Sequence, residues 1–97
     1  MICYPTQLLR KSGINPVKLT RSLPCLGGIL LTGISEDGAT MAVVPKTDGS
    51  RVAEWDDSRE SRDCRTVLEA RVWLTLMSFG FSKELSDEWT EKIMEVK

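Results

Sequence analysis

The side chains that most often carry chemistry are sparse in this chain. Its 97 residues include no histidine and only three cysteines, Cys3, Cys25 and Cys64. Without histidine, the commonest general base near neutral pH is missing. Three widely spaced thiols, with no Cys-x-x-Cys pair, make neither a disulfide framework nor the four good ligands of a structural zinc site. They read as small buried hydrophobes in a reducing compartment. Cys64, near the start of an expected helix, would have a lowered pKa, but no partner base accompanies it. Gly27-Gly28 is a lone doublet and too little for a phosphate-binding loop. The Asp56/Asp57 pair falls in a charged loop with nothing apolar to raise a carboxyl pKa. The expectation is a protein that is not an enzyme, with no catalytic residues, no metal and no cofactor.

Charge is the more informative pattern. The net charge of −1 hides a division. The first 35 residues carry four basic side chains, Arg10, Lys11, Lys18 and Arg21, and no acidic one. The remaining 62 carry nine basic and fourteen acidic side chains. A basic segment is where an anionic partner would bind, and an acidic one where a cationic surface would dock. The basic residues fall on two expected short helices joined across Ser12-Gly13-Ile14-Asn15. That length and composition resemble a helix-turn-helix, with Lys18 and Arg21 on the second helix and the following hairpin placed as a wing would be. The plainer reading is a helical hairpin with solvated cations. The acidic candidates are Glu54 near the end of the last expected strand, Asp56, Asp57 and Glu60 after it, and Glu88 and Glu91 on the last helix. They could dock on a basic protein, or be simply solvated. Trp55, Trp73 and Trp89 read first as one core cluster, with Trp89 on Trp73, and second as an interface anchor.

The elements that must position these residues follow from spacing. Residues 5–12 form a short helix, with Pro5 in its first turn and Gly13 at its end. Asn15 and Pro16 open a second, with Leu19 and Leu23 on one face. Residues 29–34, 39–44 and 51–55 read as strands joined by turns containing Asp37-Gly38 and Asp48-Gly49, with Pro45 at a strand end. Residues 62–79 form the strongest helix, apolar at Cys64, Leu68, Val72, Leu76 and Phe79 and over most of its circumference. Arg65, Glu69 and Thr75 make its narrow polar stripe. Gly80 ends it, Ser82 caps the next, and Leu85, Trp89, Ile93 and Val96 form that helix's apolar stripe.

The expected fold is α+β: a three-stranded antiparallel meander with two short N-terminal helices and two C-terminal helices packed against it. One domain spans residues 1–97, with a helical hairpin over 1–24, the meander over 28–55 and the two-helix segment over 61–97. The apolar fraction of 41% is ordinary for a folded domain. No apolar run approaches the length of a membrane span, and the N-terminus lacks a signal-peptide pattern, so the expected location is cytoplasmic. The expected function is a small interaction protein, a regulator or inhibitor of the kind phages encode, that occludes another protein or a protein–nucleic-acid complex. The alternative is a DNA-binding regulator using the basic hairpin. The all-round apolar helix leaves room for a homodimer.

Overall fold

The computed structural model describes residues 5–95. Among them the order is α1 (Pro5–Lys11), β1 (Arg21–Cys25), β2 (Gly28–Ile34), β3 (Thr40–Pro45), β4 (Arg51–Trp55), β5 (Glu60–Cys64), α2 (Val67–Ser78) and α3 (Lys83–Glu95). The five strands make one antiparallel sheet in the order β1-β2-β3-β4-β5. The fold is α+β as expected, but two strands replace what the spacing suggested was helix or loop.

The first replacement is β1. Leu19 and Leu23 are four apart, as on a helix, yet Arg21–Cys25 is extended and pairs with β2, Leu23 opposite Leu30. The cause is the turn that follows. Cys25 pairs with Gly28 around a loop of Leu26 and Gly27. Gly27 takes φ +94°, as the third position of a type II turn requires. A turn that tight folds the chain back on itself and compels an antiparallel partner. The second replacement is β5. Asp56, Asp57 and Ser58 all take left-handed φ between 55° and 69°. Each such residue costs about 1–2 kcal/mol. Hydrogen bonds to Thr40 offset part of that cost. Asp56 N–H donates to Thr40 O at 2.7 Å, Asp57 N–H donates to Thr40 Oγ1 at 2.9 Å, and Thr40 Oγ1 donates to Asp57 Oδ1 at 2.6 Å. The tightened corner returns residues 60–64 as a fifth strand.

The two central hairpins follow the sequence more directly. Ser35 N–H donates to Ala39 O, and Lys46 N–H to Ser50 O, each at 2.8 Å. Each closes a loop ending in glycine, Glu36-Asp37-Gly38 and Thr47-Asp48-Gly49. Gly38 and Gly49 take φ of +89° and +91°. This is the turn followed by a left-handed residue that joins strands with a bulge.

Helix α2 starts at Val67, five residues after the expected start, because 62–64 belong to β5. Thr66 caps it, accepting from Glu69 N–H at 3.1 Å. Thr66-Val67-Leu68-Glu69 is a capping-box pattern, a signal that the sequence does carry. Gly80 (φ +93°) ends the helix as expected. The helix is buried between two apolar clusters. On one side Ala70, Trp73, Leu74 and Met77 meet Met41, Val43, Ala53 and Cys64 of the sheet. On the other, Val72 and Leu76 meet Leu9 of α1, with Ile93 and Phe81 packed alongside. Its all-round apolar surface is thus covered by its own chain, which removes the reason it gave for expecting a second copy there. Thr75, part of the expected narrow polar stripe, is fully buried.

The segment between α1 and β1 is not helical either. Residues 14–20 run extended between α2 and the sheet, with Val17 and Leu19 packed on the sheet-side cluster. Two hydrogen bonds hold it to α2: Val17 N–H donates to Thr75 Oγ1 at 3.0 Å, and Arg71 Nε donates to Val17 O at 2.8 Å.

Candidate interaction surfaces

The expected α3 stripe of Leu85, Trp89, Ile93 and Val96 is not the buried one. Ser86 and Thr90 are the fully buried residues of α3, while Trp89 is 47% exposed. Val96 lies outside the described residues. The helix is rotated by about one residue, because small side chains let it lie close on α2 while Arg62 of β5 draws in Asp87. Trp89 therefore lies away from Trp73, at the mouth of a cleft of about 350 Å³ between α1, the end of α2 and α3. Leu8, Leu9, Ile14, Phe81 and Ile93 line it. Lys92 Nζ lies 5.6 Å from the Trp89 ring centroid and bonds Glu88 Oε1 at 3.2 Å. A half-exposed tryptophan beside an apolar cleft with a lysine at its edge is the composition of an interface anchor.

The second surface is the open face of the sheet. All three helices lie on the other side, α2 directly on it and α1 and α3 beyond α2. The register Arg21–Thr32, Thr32–Ala42, Ala42–Glu54 and Glu54–Ser61 sets these five side chains in one cross-strand row on the open face. The neighbouring row runs Leu23, Leu30, Val44, Val52 and Asp63. A shallow depression of about 380 Å³ brings Arg21, Glu54 and Asp57 together with the hydroxyls of Thr20, Thr32 and Thr40.

The sequence-selected residues are thus redistributed. Arg10 and Lys11 are in the last turn of α1, Lys18 is on the crossing segment, and Arg21 opens β1 on the open face. Among the described residues there is no second N-terminal helix, so the helix-turn-helix geometry is absent and the four cations do not share one element. Glu54, Asp56 and Asp57 stay at the β4–β5 end of the sheet. Glu60 points to the helix side, with Oε2 buried and without a hydrogen-bond partner. Glu88 and Glu91 line α3. They are separate from Glu54, so the acidic residues form two surfaces rather than one face.

Sequence reasoning missed Arg62, which it gave no role beyond opening the expected helix over 62–79. It lies on the helix side of β5 with 16% of its side chain exposed. It reaches Asp87 Oδ1 at 3.1 Å, Glu69 Oε2 at 3.5 Å and Glu91 Oε1 at 4.0 Å. Asp87 also accepts from Lys83 Nζ at 2.9 Å. Burial pushes the Asp87 pKa up, but hydrogen bonds from Lys83 and Arg62 outweigh it, and the net shift is down. A folded-state pKa below the unfolded one adds stability that is full above the unfolded value of about 3.9 and is lost as pH falls through the folded value. Urea melts taken at falling pH should lose midpoint below about pH 4, and Asp87→Asn should flatten that dependence. An unchanged slope in the variant would assign the acid sensitivity elsewhere.

Cys64 is buried on β5 rather than placed at a helix start. Burial, with Glu69 adding to it, pushes its thiol up to about 12. It is the opposite of a reactive cysteine. Cys25 is exposed and Cys3 lies outside the described residues. In a Cys3→Ser/Cys25→Ser chain, Ellman's reagent should label Cys64 only at the rate of unfolding. Immediate labelling in the folded chain would contradict the burial.

No cluster of potential metal ligands occurs among the described residues, and no helix is long and apolar enough to cross a membrane. No family model, curated protein or solved structure matches the chain.

Proposed function

We propose that this chain is a non-enzymatic interaction module, a regulator or inhibitor that docks on another protein through the cleft between α1 and α3 and occludes the surface it covers. The observation that carries this reading is Trp89, left 47% exposed at an apolar cleft although the helix had a face on which to bury it. Such cavities, apolar inside and charged at the rim, receive a helix face or an apolar side chain of a partner. At the α3 edge of the cleft stands Lys92, bonded to Glu88, and a charged edge of this kind tunes a partner's rate of capture more than its affinity.

The test is recovery of a stoichiometric complex from the native host with the intact chain, repeated with Trp89→Ala. Truncating a tryptophan anchor typically costs about 2 kcal/mol or more, so affinity should fall by about thirtyfold with the fold retained. A complex that forms equally well with Trp89→Ala removes the cleft as the docking site. The nucleic-acid alternative now rests on dispersed cations alone. A gel shift of random duplex DNA that weakens steeply with salt, and that is lost in an Arg10/Lys11/Lys18/Arg21→Ala chain, would revive it.

A further inference from the structure

We infer that the open face of the sheet is a self-association surface, on which a second copy of this chain packs face to face with its β3 over this β3. This is a different surface from the cleft, carried by a different observation. The face holds a continuous apolar row, Leu23, Leu30, Val44 and Val52, with Leu23 45% exposed, and Ile34, 70% exposed, stands on the far side of the Arg21–Thr32 row. Strands bury apolar residues on one face and solvate the other when a sheet is covered on one side only. Here the uncovered side is apolar through its middle and charged only toward its ends.

The charges select the occupant. Arg21 lies on β1, two strands to one side of β3, and Glu54 lies on β4, one strand to the other side, in the same cross-strand row. A two-fold axis lying between the sheets and along β3 exchanges the two sides. It brings each Arg21 over the partner's Ser61 on β5, offset sideways by one strand spacing of about 4.8 Å from the partner's Glu54 across the gap of about 10 Å between packed sheets, a span that an arginine and a glutamate bridge together. The same operation sets the central Val44 on its own copy, Leu30 over Val52 and, at the rim, Leu23 over Asp63. The other in-plane axis, across the strands, stacks Arg21 on Arg21 when it runs along the charged row and Asp63 on Asp63 when it runs along the apolar one, and both are repulsive. Asp63, at the end of the apolar row, is on the exposed rim and pairs with Lys46 at 3.6 Å. The surface is therefore self-complementary, as an isologous dimer requires.

Edge-to-edge pairing is the competing route for a second copy, and β1 is built against it. The Cys25–Gly28 pair closes a two-residue loop, which makes it a hydrogen-bonded pair and the next, Pro24–Ile29, a non-bonded one. Position 24 then faces the free edge, where proline has no N–H to offer. At β5 the edge strand carries Asp63, Arg62 and Glu60, the charged composition that discourages pairing.

The size of the surface fixes the strength. Five strands about 4.8 Å apart and about five residues long give a face of about 400 Å² per copy. That is about half the footprint of a standard complex, so the dimer should be reversible, with a dissociation constant in the micromolar range or weaker.

Analytical ultracentrifugation of the intact chain from micromolar to millimolar concentration tests this. The expected result is a monomer–dimer equilibrium that Trp89→Ala leaves unchanged and Val44→Glu abolishes. Because a charge on a half-buried strand could also unsettle the fold, the deciding set is Arg21→Glu, Glu54→Arg and the double reversal. Each single reversal should weaken the dimer by about tenfold, and the double should restore it. A chain that sediments as a monomer at millimolar concentration overturns the inference, whatever becomes of the cleft. So does a dimer that the double reversal fails to restore.

Discussion

Gly33→Ala should lower the stability of this protein by about 3 kcal/mol, a large effect for the addition of one methyl group. Gly33 lies on β2 facing the helices. A Cβ built there stands 2.5 Å from the carbonyl oxygen of Lys18 and 3.4 Å from the Cα of Leu19. Carbon and oxygen cannot approach so closely, and the obstacle is backbone, which cannot rotate aside. Nor can the crossing segment readily lift away. It is fixed to α2 by Val17 N–H on Thr75 Oγ1 and by Arg71 Nε on Val17 O, and Leu19 is packed on the core. The methyl must push the segment off the sheet, loosening both bonds and the apolar contacts together. Chemical denaturation at neutral pH measures this, with Thr32→Ala, the adjacent residue on the open face, as the control expected to stay within about 0.5 kcal/mol. A Gly33→Ala chain as stable as that control would mean that residues 14–20 do not cross the sheet as described.

Arg62→Met should cost about 3 kcal/mol, although methionine fills much of the same volume and suits a strand facing a core. The cost comes from what is left behind. Glu69, with 16% of its side chain exposed, loses its cation, while Asp87 keeps Lys83. Glu69, Asp87 and Glu91 then face one another without the charge that gathered them. Breaking such a group from one side costs more than the group itself contributes, because the remaining charges stay desolvated. The companion variant is therefore informative: adding Glu69→Gln and Asp87→Asn to Arg62→Met should recover a large part of the loss. If Arg62→Met is neutral in urea denaturation, the arginine is not what joins β5 to α2 and α3. If the companion substitutions recover nothing, the loss is one of packing rather than of stranded charge.

Much of the fold is legible locally. Asp37-Gly38 and Asp48-Gly49 fix their hairpins because only a residue tolerant of left-handed φ completes those turns. Gly13, Gly80 and Ser82 bound helices for the same kind of local reason. Thr66-Val67-Leu68-Glu69 held a further legible start, passed over because the apolar spacing from Cys64 ran smoothly into the helix. Period alone cannot distinguish a strand residue that faces the core from a helix residue that does. What was illegible is β1 and β5. Neither is apolar or β-branched enough to announce itself, and each is a strand because a tight turn lays it beside a neighbour. On the surfaces, most residues selected by charge are exposed, while Glu60 turns to the helix side with Oε2 buried, and their expected grouping is absent. Trp89, chosen as core, is at an open cleft, and Arg62, not chosen, gathers three carboxylates.

By itself the sequence determined the α+β class, the two central hairpins, the long buried helix, and the absence of histidine chemistry. These depend on interactions between residues a few positions apart, or on composition, and so survive any tertiary arrangement. Only the tertiary structure decided which face of α3 is buried, where residues 14–20 run, and how the charges divide. Arg62 and Asp87 are 25 positions apart, and Val17 and Thr75 are 58 apart. Contacts over such separations depend on which elements stack on which, and no local period encodes that. The charge division along the chain is a fact of sequence. That Arg21 and Glu54 share one row is a fact of strand register, and that Arg10 and Lys11 lie beyond α2 is a fact of helix packing.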